Sequence, residues 1–176
     1  MATPPGTGLL WLVGLMGSGK STVGALVAER LGIPFVDTDG MVEEETAMRV
    51  PALWVVDGGV TFRRIEAAAV ATVADGPGPR VVAAGGGAVL DPASVDHMRR
   101  SGLVVWLEAD PAELATRVNA EGRPLLAGSS PEARLTALLE ERHQLYAAVA
   151  HHRVTAGGRS VDDVCTEVVE LWRAAT

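Results

Sequence analysis

A glycine-rich segment near the start of the chain restricts the possible folds more than any other feature. Residues 14–21 are Gly-Leu-Met-Gly-Ser-Gly-Lys-Ser and fit the pattern G-x-x-x-x-G-K-[ST]. The apolar run at residues 9–13 precedes them, as expected for a strand buried on both faces, and a helical pattern follows from Lys20 to about Leu31. Backbone N–H groups of such a loop surround phosphate oxygens, and the helix N-terminus adds positive partial charge. The sequence therefore predicts a phosphate-binding loop between a strand and a helix.

The lysine content of the chain singles out the same loop. Of the 15 basic residues, Lys20 is the only lysine and all the others are arginine. In a loop of this type the lysine reaches the β- and γ-phosphates of a nucleotide, and a hydroxyl such as that of Ser21 ligates Mg²⁺. The guanine-specificity signature N-K-x-D needs a second lysine, so this chain cannot carry it. The small size of the chain favours a kinase that acts on a metabolite.

The rest of the chain alternates between strand and helix patterns. Further strands are predicted at residues 35–37, 81–84, 103–107 and 153–155. Further helices are predicted at about residues 60–75, 92–100, 111–119, 131–150 and 160–174. Such alternation is typical of an α/β fold with a mostly parallel sheet. Because no linker or internal repeat divides the chain, residues 1–176 are predicted to form a single domain.

Composition argues against several classes of partner. The net charge of -7 disfavours a protein that binds nucleic acid mainly through its phosphates. The apolar run at residues 9–15 is too short to cross a bilayer and leads into the glycine-rich loop. The single Cys165 cannot form an internal disulfide and fits a reducing compartment. We therefore expect a cytoplasmic protein with a small-molecule substrate, no nucleic acid and no membrane partner.

Two acidic residues follow the second predicted strand. Asp37-Thr38-Asp39 lies at the carboxyl end of that strand, where ligands of an open parallel sheet bind. One carboxylate can orient Mg²⁺ through water, and the other can accept a proton from an attacking hydroxyl. The residues alone equally allow a second interpretation, in which the acidic residues of this loop cap the helix that follows, as Asp39 could do from its position before Gly40.

Three arginines stand at positions that suit an anionic ligand. Arg63 and Glu66 share one side of their predicted helix, and taken alone they are interpreted as a solvated ion pair at the edge of its apolar stripe. Arg142 falls on the apolar stripe of a later helix, so a carboxylate partner from the protein or a substrate is expected for it. Arg123 lies in a glycine-bounded loop that could close over phosphates, although a surface arginine without a function gives the same pattern.

Three consecutive glycines complete the set of motifs. Residues 85–87 follow an apolar strand and remove side chains where a ligand would approach the backbone. Together with the motifs above and the Arg-Pro-Leu-Leu segment at residues 123–126, they resemble the shikimate kinase family over roughly residues 9–154. The resemblance implies a three-layer α/β/α P-loop kinase with a central parallel five-stranded sheet. It also implies a substrate-binding segment at about residues 37–66 and a mobile lid at about residues 120–131.

The resemblance implies roles for individual residues on the ATP side. The loop residues that contact the nucleotide are Gly17, Ser18, Gly19, Lys20, Ser21 and Thr22. Ser21 and Asp37 hold Mg²⁺, the latter through water. Arg117 stacks on the adenine, and Arg123 on the lid meets both the phosphates and the substrate.

On the acceptor side the resemblance implies a second set of contacts. Asp39 contacts the hydroxyls of shikimate and is the base, which makes the catalytic set Lys20, Asp39 and Arg123. Arg63 and Arg142 bind the shikimate carboxylate, and Glu66 steadies Arg63. Gly86 offers its backbone to the substrate.

The expected function is ATP-dependent phosphorylation of the 3-hydroxyl of shikimate by a monomer, a step toward aromatic amino acids. The family usually has Gly-Glu where this chain has Gly58-Gly59, and Thr-Gly where it has Thr46-Ala47. Both departures fall in the substrate-binding segment. Two alternatives are a kinase of another small cyclitol or sugar acid, and a nucleotide-binding module that has lost kinase activity.

Overall fold

The computed structural model describes residues 8–118 and 124–176. Five strands occur in these ranges, namely β1 (Leu9–Val13), β2 (Phe35–Asp37), β3 (Arg80–Ala83), β4 (Gly102–Glu108) and β5 (His152–Thr155). The helices are α1 (Lys20–Leu31), α2 (Thr38–Thr46), α3 (Val50–Asp57), α4 (Val60–Ala74), α5 (Pro92–Ser101), α6 (Pro111–Arg117), α7 (Pro131–Val149) and α8 (Val161–Ala175). Two short 3₁₀ segments lie at Ala88–Leu90 and Pro124–Leu126.

All five strands form one parallel sheet in the order β2-β3-β1-β4-β5. The central strand β1 is apolar at each position and fully buried, as parallel strands covered on both faces must be. In the register of the sheet, Asp37 stands opposite Ala83, and Ala83 stands opposite Leu12. The loops that follow β1, β2 and β3 therefore leave the sheet side by side at its carboxyl edge.

The two faces of the sheet are covered by different helices. Alternate residues of β1 point to opposite sides, so Trp11 packs with residues of α4, α5, α6 and α7, while Leu12 packs with α1 and α8. Trp11 also donates a buried hydrogen bond from Nε1 to Ser101 Oγ at 2.9 Å. The predicted three-layer α/β/α arrangement is confirmed, as are the five strands and the six helices that the sequence pattern delimits.

A small third cluster of buried side chains lies beside the sheet. It consists of Val42, Leu53, Phe62 and Ile65 and joins α2, α3 and the start of α4. The bounds of α2 and α3 do not follow from the sequence, because their short apolar stretches carry no clear helical period. These helices occupy most of the predicted substrate-binding segment at residues 37–66.

The cap of α2 differs from the interpretation offered for the acidic pair. Asp37, in an extended backbone conformation, accepts hydrogen bonds at Oδ1 from the backbone N–H groups of Asp39 at 3.0 Å and Gly40 at 3.5 Å. Asp37 is therefore the N-cap, and Asp39 lies in the first turn of the helix. The interpretation that the acidic residues cap this helix is therefore correct for Asp37 and wrong for Asp39.

The end of α2 contains a backbone conformation that suits glycine. Ala47 has φ 53° and ψ 24° and is the one non-glycine residue with positive φ in the described ranges. Left-handed backbone brings Cβ too close to the carbonyl oxygen, and helices commonly end on glycine for that reason. The Thr-Gly pair typical of the family would place glycine at this position.

No helix within residues 8–118 or 124–176 combines the length and the apolar character that crossing a membrane requires.

We expect Ala47→Gly to stabilise the protein by about 1 kcal/mol, because glycine adopts the left-handed conformation without a steric cost. Chemical denaturation would measure the change in the free energy of unfolding. As a control, Ala68→Gly in the regular, exposed middle of α4 should destabilise the fold by about 0.5–1 kcal/mol. Loss of stability in both variants would contradict the assignment of strain to Ala47.

Candidate active site

Two clefts open at the carboxyl edge of the sheet. The first cleft, of about 550 Å³, is bounded by the phosphate loop and by the loops after β2 and β5. The second cleft, of about 660 Å³, is bounded by α2, α3, α4 and the glycine triplet. Four residues line both clefts, namely Met16, Ser21, Asp37 and Asp39. A group transferred between ligands in the two clefts would pass these side chains.

The phosphate loop has the compact form that its sequence predicts. Gly14 has φ 143°, and a side chain on it would approach the carbonyl oxygen of Leu107 to 2.5 Å. Gly19 adopts a left-handed conformation, with φ 91°, immediately before α1. Lys20 Nζ donates to the carbonyl oxygens of Gly14 at 2.8 Å and Leu15 at 2.9 Å. The ammonium group is therefore held across the loop, at the N-terminus of α1, where anions bind.

The structure brings the predicted nucleotide-binding residues together around the first cleft. Those within its lining are Gly17, Ser18, Gly19, Lys20, Ser21, Thr22 and Arg117. Arg117 is about one-third exposed and forms an ion pair with Glu113 one helical turn earlier. Arg123, predicted on the lid, lies outside the described residues.

Arg159 also lines the first cleft and was not predicted from the sequence. Its guanidinium donates to Thr155 O at 3.1 Å and to Glu167 Oε2 at 2.5 Å. The available signal was its position just after β5, because loops at the carboxyl ends of parallel strands carry ligand contacts. Arg117 and Arg159 are thus two cations in the lining of one cleft.

Ser21 and Asp37 form the pair predicted to hold Mg²⁺. Ser21 Oγ donates to Asp37 Oδ2 at 2.6 Å beside the phosphate loop. Mg²⁺ prefers oxygen ligands and usually takes only one or two from protein, with phosphates and water supplying the rest. Among the described residues no group of three or more His, Cys, Asp or Glu side chains could hold a metal alone. The donor set therefore fits a magnesium ion that arrives with a nucleotide.

Asp39 stands between the two clefts and is predominantly buried. Burial raises the pKa of its carboxyl group, the charge of Asp37 adds to the rise, and Lys20 and Arg63 oppose it. Within the described part of the chain Oδ1 has no hydrogen-bond partner. A buried acceptor without a partner costs free energy, and a ligand hydroxyl would satisfy it.

Thr38, between the two aspartates, was not predicted to have a role. Its buried hydroxyl accepts a hydrogen bond from the backbone N–H of Gly85 at 2.9 Å. The bond joins the end of β2 to the end of β3 and fixes the first glycine of the triplet. A threonine that is fully buried between two functional acids gives no periodic signal in the sequence.

Gly85 and Gly87 are needed because charged side chains lie directly against them. A side chain on Gly85 would overlap Glu66 Oε1 and come within 2.6 Å of Asp39 Oδ1. A side chain on Gly87 would overlap the guanidinium of Arg63. Neither glycine has positive φ, so close approach and not backbone geometry explains the residue type.

Arg63 and Glu66 form a partly buried ion pair at the wall of the second cleft. Arg63 Nη1 donates to Glu66 Oε2 at 2.5 Å, and only 3% of the Glu66 side chain is exposed, against 27% for Arg63. The interpretation of these two residues as a solvated pair is therefore wrong. Burial raises the pKa of Glu66, while the charge of Arg63 and its hydrogen bond act in the opposite direction. Oε1 of Glu66 has no hydrogen-bond partner among the described residues.

Arg142 is buried on α7, as its position on the apolar stripe predicts, with 3% of the residue exposed. Its Nη1 donates to the carbonyl oxygen of Gly86 at 3.2 Å. Glu141 Oε1 lies 3.5 Å from Nε without forming a hydrogen bond, so that Nε–H is left unsatisfied within the described ranges. A buried guanidinium with a vacant donor at a cleft wall is suited to an anion.

Tyr146 contacts the same carbonyl group of Gly86 and was not predicted to have a role. Its hydroxyl donates to Gly86 O at 2.5 Å, and its ring stacks on Trp106 with centroids 5.6 Å apart. Burial raises the pKa of the hydroxyl to about 12, so it remains a donor at neutral pH. Its position one turn after Arg142 on the apolar stripe was the available signal. Arg142 and Tyr146 together fix the peptide at the middle glycine.

Unsatisfied polar atoms concentrate at the two clefts. In the described ranges, the buried side-chain atoms without a hydrogen bond are Ser18 Oγ, Asp39 Oδ1, Glu66 Oε1 and Arg142 Nε. Every one of these residues lines the first or the second cleft. Buried polar groups in native proteins are nearly always paired, so this clustering indicates a site prepared for polar ligands.

The fold and the site together define a P-loop kinase with a separate cleft for a small acceptor. A family model for shikimate kinase matches residues 16–173. A shikimate kinase from Symbiobacterium thermophilum is 48% identical over 162 residues, covering 90% of this chain and 92% of the relative. A shikimate kinase from Thiobacillus denitrificans is 41% identical over 86% of this chain and 83% of its own length. The chain belongs to the shikimate kinase family.

Comparison with solved structures agrees with that assignment. The structure of a shikimate kinase from Acinetobacter baumannii in complex with shikimate superposes with a TM-score of 0.90 at 32% identity, covering 98% of this chain and 94% of the other. A gluconokinase from Sinorhizobium meliloti superposes with a TM-score of 0.60 at 20% identity, covering 97% of this chain and 94% of the other. The second similarity concerns the fold alone.

We expect Gly87→Ala to displace the Arg63 guanidinium while leaving the fold intact, because the atoms that must move belong to the end of a flexible side chain. Loss of one charge-assisted contact should raise KM for the acceptor about tenfold or more. Steady-state kinetics with shikimate would measure this change, and KM for ATP should stay constant.

Gly76→Ala is the matched control for this variant. A methyl group there would come within 2.9 Å of the Arg80 guanidinium, which lines neither cleft. Kinetic constants of the control should match those of the unmodified enzyme. An unchanged KM for shikimate in Gly87→Ala would show that acceptor binding does not require the present position of the Arg63 guanidinium.

Proposed function

We propose that the protein transfers the γ-phosphoryl group of ATP to the 3-hydroxyl of shikimate, giving ADP and shikimate 3-phosphate. The observation that carries the proposal is the set of unsatisfied buried atoms of Asp39, Glu66 and Arg142 around a cleft that adjoins a phosphate loop. These groups match an acceptor with one carboxylate and several hydroxyls. The similarity to a shikimate kinase described in complex with shikimate supports the same acceptor.

On the acceptor side, two cations and an acid line the second cleft. Arg63 and Arg142 bind the carboxylate of shikimate, and Glu66 holds Arg63 in place through their ion pair. Asp39 accepts a hydrogen bond from the hydroxyl that reacts. The peptide of Gly86, fixed by Tyr146, contacts the substrate through its backbone.

On the ATP side, residues 17–22 bind the phosphates through backbone N–H groups and the ammonium group of Lys20. Arg117 stacks on the adenine, and Arg159 contacts the nucleotide from the loop after β5. Ser21 and Asp37, which are hydrogen-bonded to each other, would hold Mg²⁺, the serine directly and the aspartate through water. Bound Mg²⁺ would neutralise charge on the phosphates.

The chemical step requires positioning and electrostatic stabilisation more than covalent chemistry. The 3-hydroxyl oxygen forms a bond to the γ-phosphorus while the bond from that phosphorus to the β,γ-bridging oxygen breaks, and ADP leaves. Asp39 orients the hydroxyl and takes its proton. Lys20 and Arg123 stabilise the negative charge spread over the transferred group.

We further propose that the whole chain acts as one unit and as a monomer in the cytoplasm.

Residues 37–66 form the acceptor-binding segment, and most of the lining of the second cleft comes from this range. We assign the lid to about residues 120–131, of which 120–123 lie outside the described residues, and Pro124 and Leu125 in this range line the second cleft. Closure of the lid would exclude water from the phosphoryl group.

The first test is release of ADP in the presence of ATP, Mg²⁺ and one acceptor at a time, with shikimate, quinate, gluconate and no acceptor compared. We expect release that depends on shikimate. Release with gluconate or quinate instead would assign a different acid to the second cleft. ATP binding without release for any acceptor would favour a nucleotide-binding module that lacks kinase activity.

Asp39→Asn should reduce turnover about 10²–10⁴-fold, because the amide cannot accept the proton. The same variant should be more stable than the unmodified protein at pH 7. Since burial and the charge of Asp37 raise the pKa of Asp39 above 3.8, folding disfavours its ionised form. The stabilisation by the neutral carboxyl is full below pH 3.8 and is lost as pH rises through the raised pKa.

The stability difference between the variant and the unmodified protein should therefore shrink as pH falls toward 3.8, and denaturant titrations at several pH values would measure it. In the unmodified enzyme, kcat/KM should rise with pH through the raised pKa of Asp39. Full activity of a folded Asp39→Asn variant would remove the assignment of the base.

A further inference from the structure

The indole ring of Trp54 occupies the space where a side chain at residue 59 would lie. Gly59 is buried, has φ 93° and immediately precedes α4. A Cβ atom on it would overlap Cζ3 and Cε3 of Trp54 and come within 2.7 Å of Cη2. All three atoms belong to the six-membered ring of the indole. Trp54 can therefore keep its present orientation only if residue 59 has no side chain.

Trp54 in turn contacts the arginine of the second cleft. Its ring centroid lies 5.4 Å from Cζ of Arg63, and the ring of Phe62 lies 5.2 Å from the same atom. The two rings are 5.9 Å apart with an interplanar angle of 34°. Cations within about 6 Å of an aromatic centroid are attracted to its face. The guanidinium is thus held by two aromatic rings and by Glu66, and Trp54 itself lines the cleft.

We propose that Gly59 and Trp54 form a matched pair that positions Arg63 for the carboxylate of the acceptor. The inference rests on the proposed function for the identity of that acceptor. Trp54 is a positioning residue in this arrangement, since it acts through Arg63. The family usually has glutamate at residue 59. Glycine there leaves the space that the indole of Trp54 occupies. This departure therefore changes how Arg63 is supported and not which acid is bound.

Comparison with Gly58 distinguishes two reasons for glycine at residue 59, namely the space that Trp54 needs and a left-handed backbone conformation. Gly58 also has positive φ, 67°, but a Cβ on it would meet no atom within 4 Å. Alanine at residue 58 therefore introduces backbone strain alone, whereas alanine at residue 59 introduces strain and displaces Trp54. Trp54→Phe removes the ring atoms that conflict with a side chain at residue 59.

The test compares Gly59→Ala, Gly58→Ala, Trp54→Phe and the double variant Gly59→Ala/Trp54→Phe. We expect Gly59→Ala to raise KM for shikimate about tenfold, with a smaller change in kcat and no change in the Kd of ATP. Gly58→Ala should leave the kinetic constants within about twofold of the unmodified enzyme. In the Trp54→Phe background, the additional effect of Gly59→Ala on KM should fall to about twofold or less.

Tryptophan fluorescence of the ligand-free protein gives a readout that does not depend on the acceptor. Trp11, Trp106 and Trp172 are buried, so Trp54, which is partly exposed, should dominate changes near the cleft. Gly59→Ala should shift the emission to longer wavelength, and the shift should be absent in the double variant. If shikimate is not a substrate but this shift occurs, the proposed function fails while the pairing of Gly59 and Trp54 stands.

Three results would overturn the inference. Equal increases in KM for Gly58→Ala and Gly59→Ala would show that residue 59 must be glycine only because of its backbone conformation. An effect of Gly59→Ala on KM that is equally large in the Trp54→Phe background would show that the two residues are not coupled. Should Gly59→Ala not fold, a Trp54→Phe variant with unchanged KM for shikimate would also show that the indole does not position Arg63.

Discussion

The close approach of three loops at the carboxyl edge of the sheet is the constraint on which the site depends. The Thr38–Gly85 hydrogen bond joins the acidic motif to the glycine triplet. Gly86 then lies against the phosphate loop, where a Cβ would be 3.3 Å from the carbonyl oxygen of Gly14. Parallel register aligns these strand ends, and the buried hydroxyl of Thr38 together with the absence of a side chain at Gly86 brings the two clefts into contact. Larger residues in the triplet would push the acceptor side away from the phosphates.

The charges of the acceptor cleft are arranged at a cost to the stability of the free protein. Glu66 and Arg142 are almost fully buried, and each retains an atom without a hydrogen bond in the described ranges. The raised pKa values of Asp39 and Glu66 express the same cost, because burial disfavours their ionised forms. A ligand that supplies the missing partners removes this cost when it binds. The side chains that lower the stability of the free protein are therefore the ones that a bound ligand stabilises.

Local patterns were sufficient for the sheet and for the phosphate loop, but not for the acceptor segment. The strand at Leu9–Val13 and the glycine-rich loop after it can each be predicted from a few consecutive residues. Helices α2 and α3 are short and depend on the cluster of Val42 and Leu53 with α4, which no periodicity displays. Contacts such as Tyr146 to Gly86 join residues 60 positions apart, so a single sequence cannot indicate them. Resemblance to a family predicted the roles of the arginines, and the structure added how they are held.

The two departures from the family pattern differ in their physical consequences. At Gly59 the missing side chain is replaced by the ring of Trp54, so the volume beside Arg63 stays filled and the guanidinium keeps aromatic support. Ala47 instead adds a methyl group in a left-handed conformation. The residue is exposed at the end of α2. The first departure is therefore coupled to the acceptor site, because it changes what Arg63 packs against. The second acts on stability alone, since the backbone of α2 up to Thr46 keeps its helical form despite it.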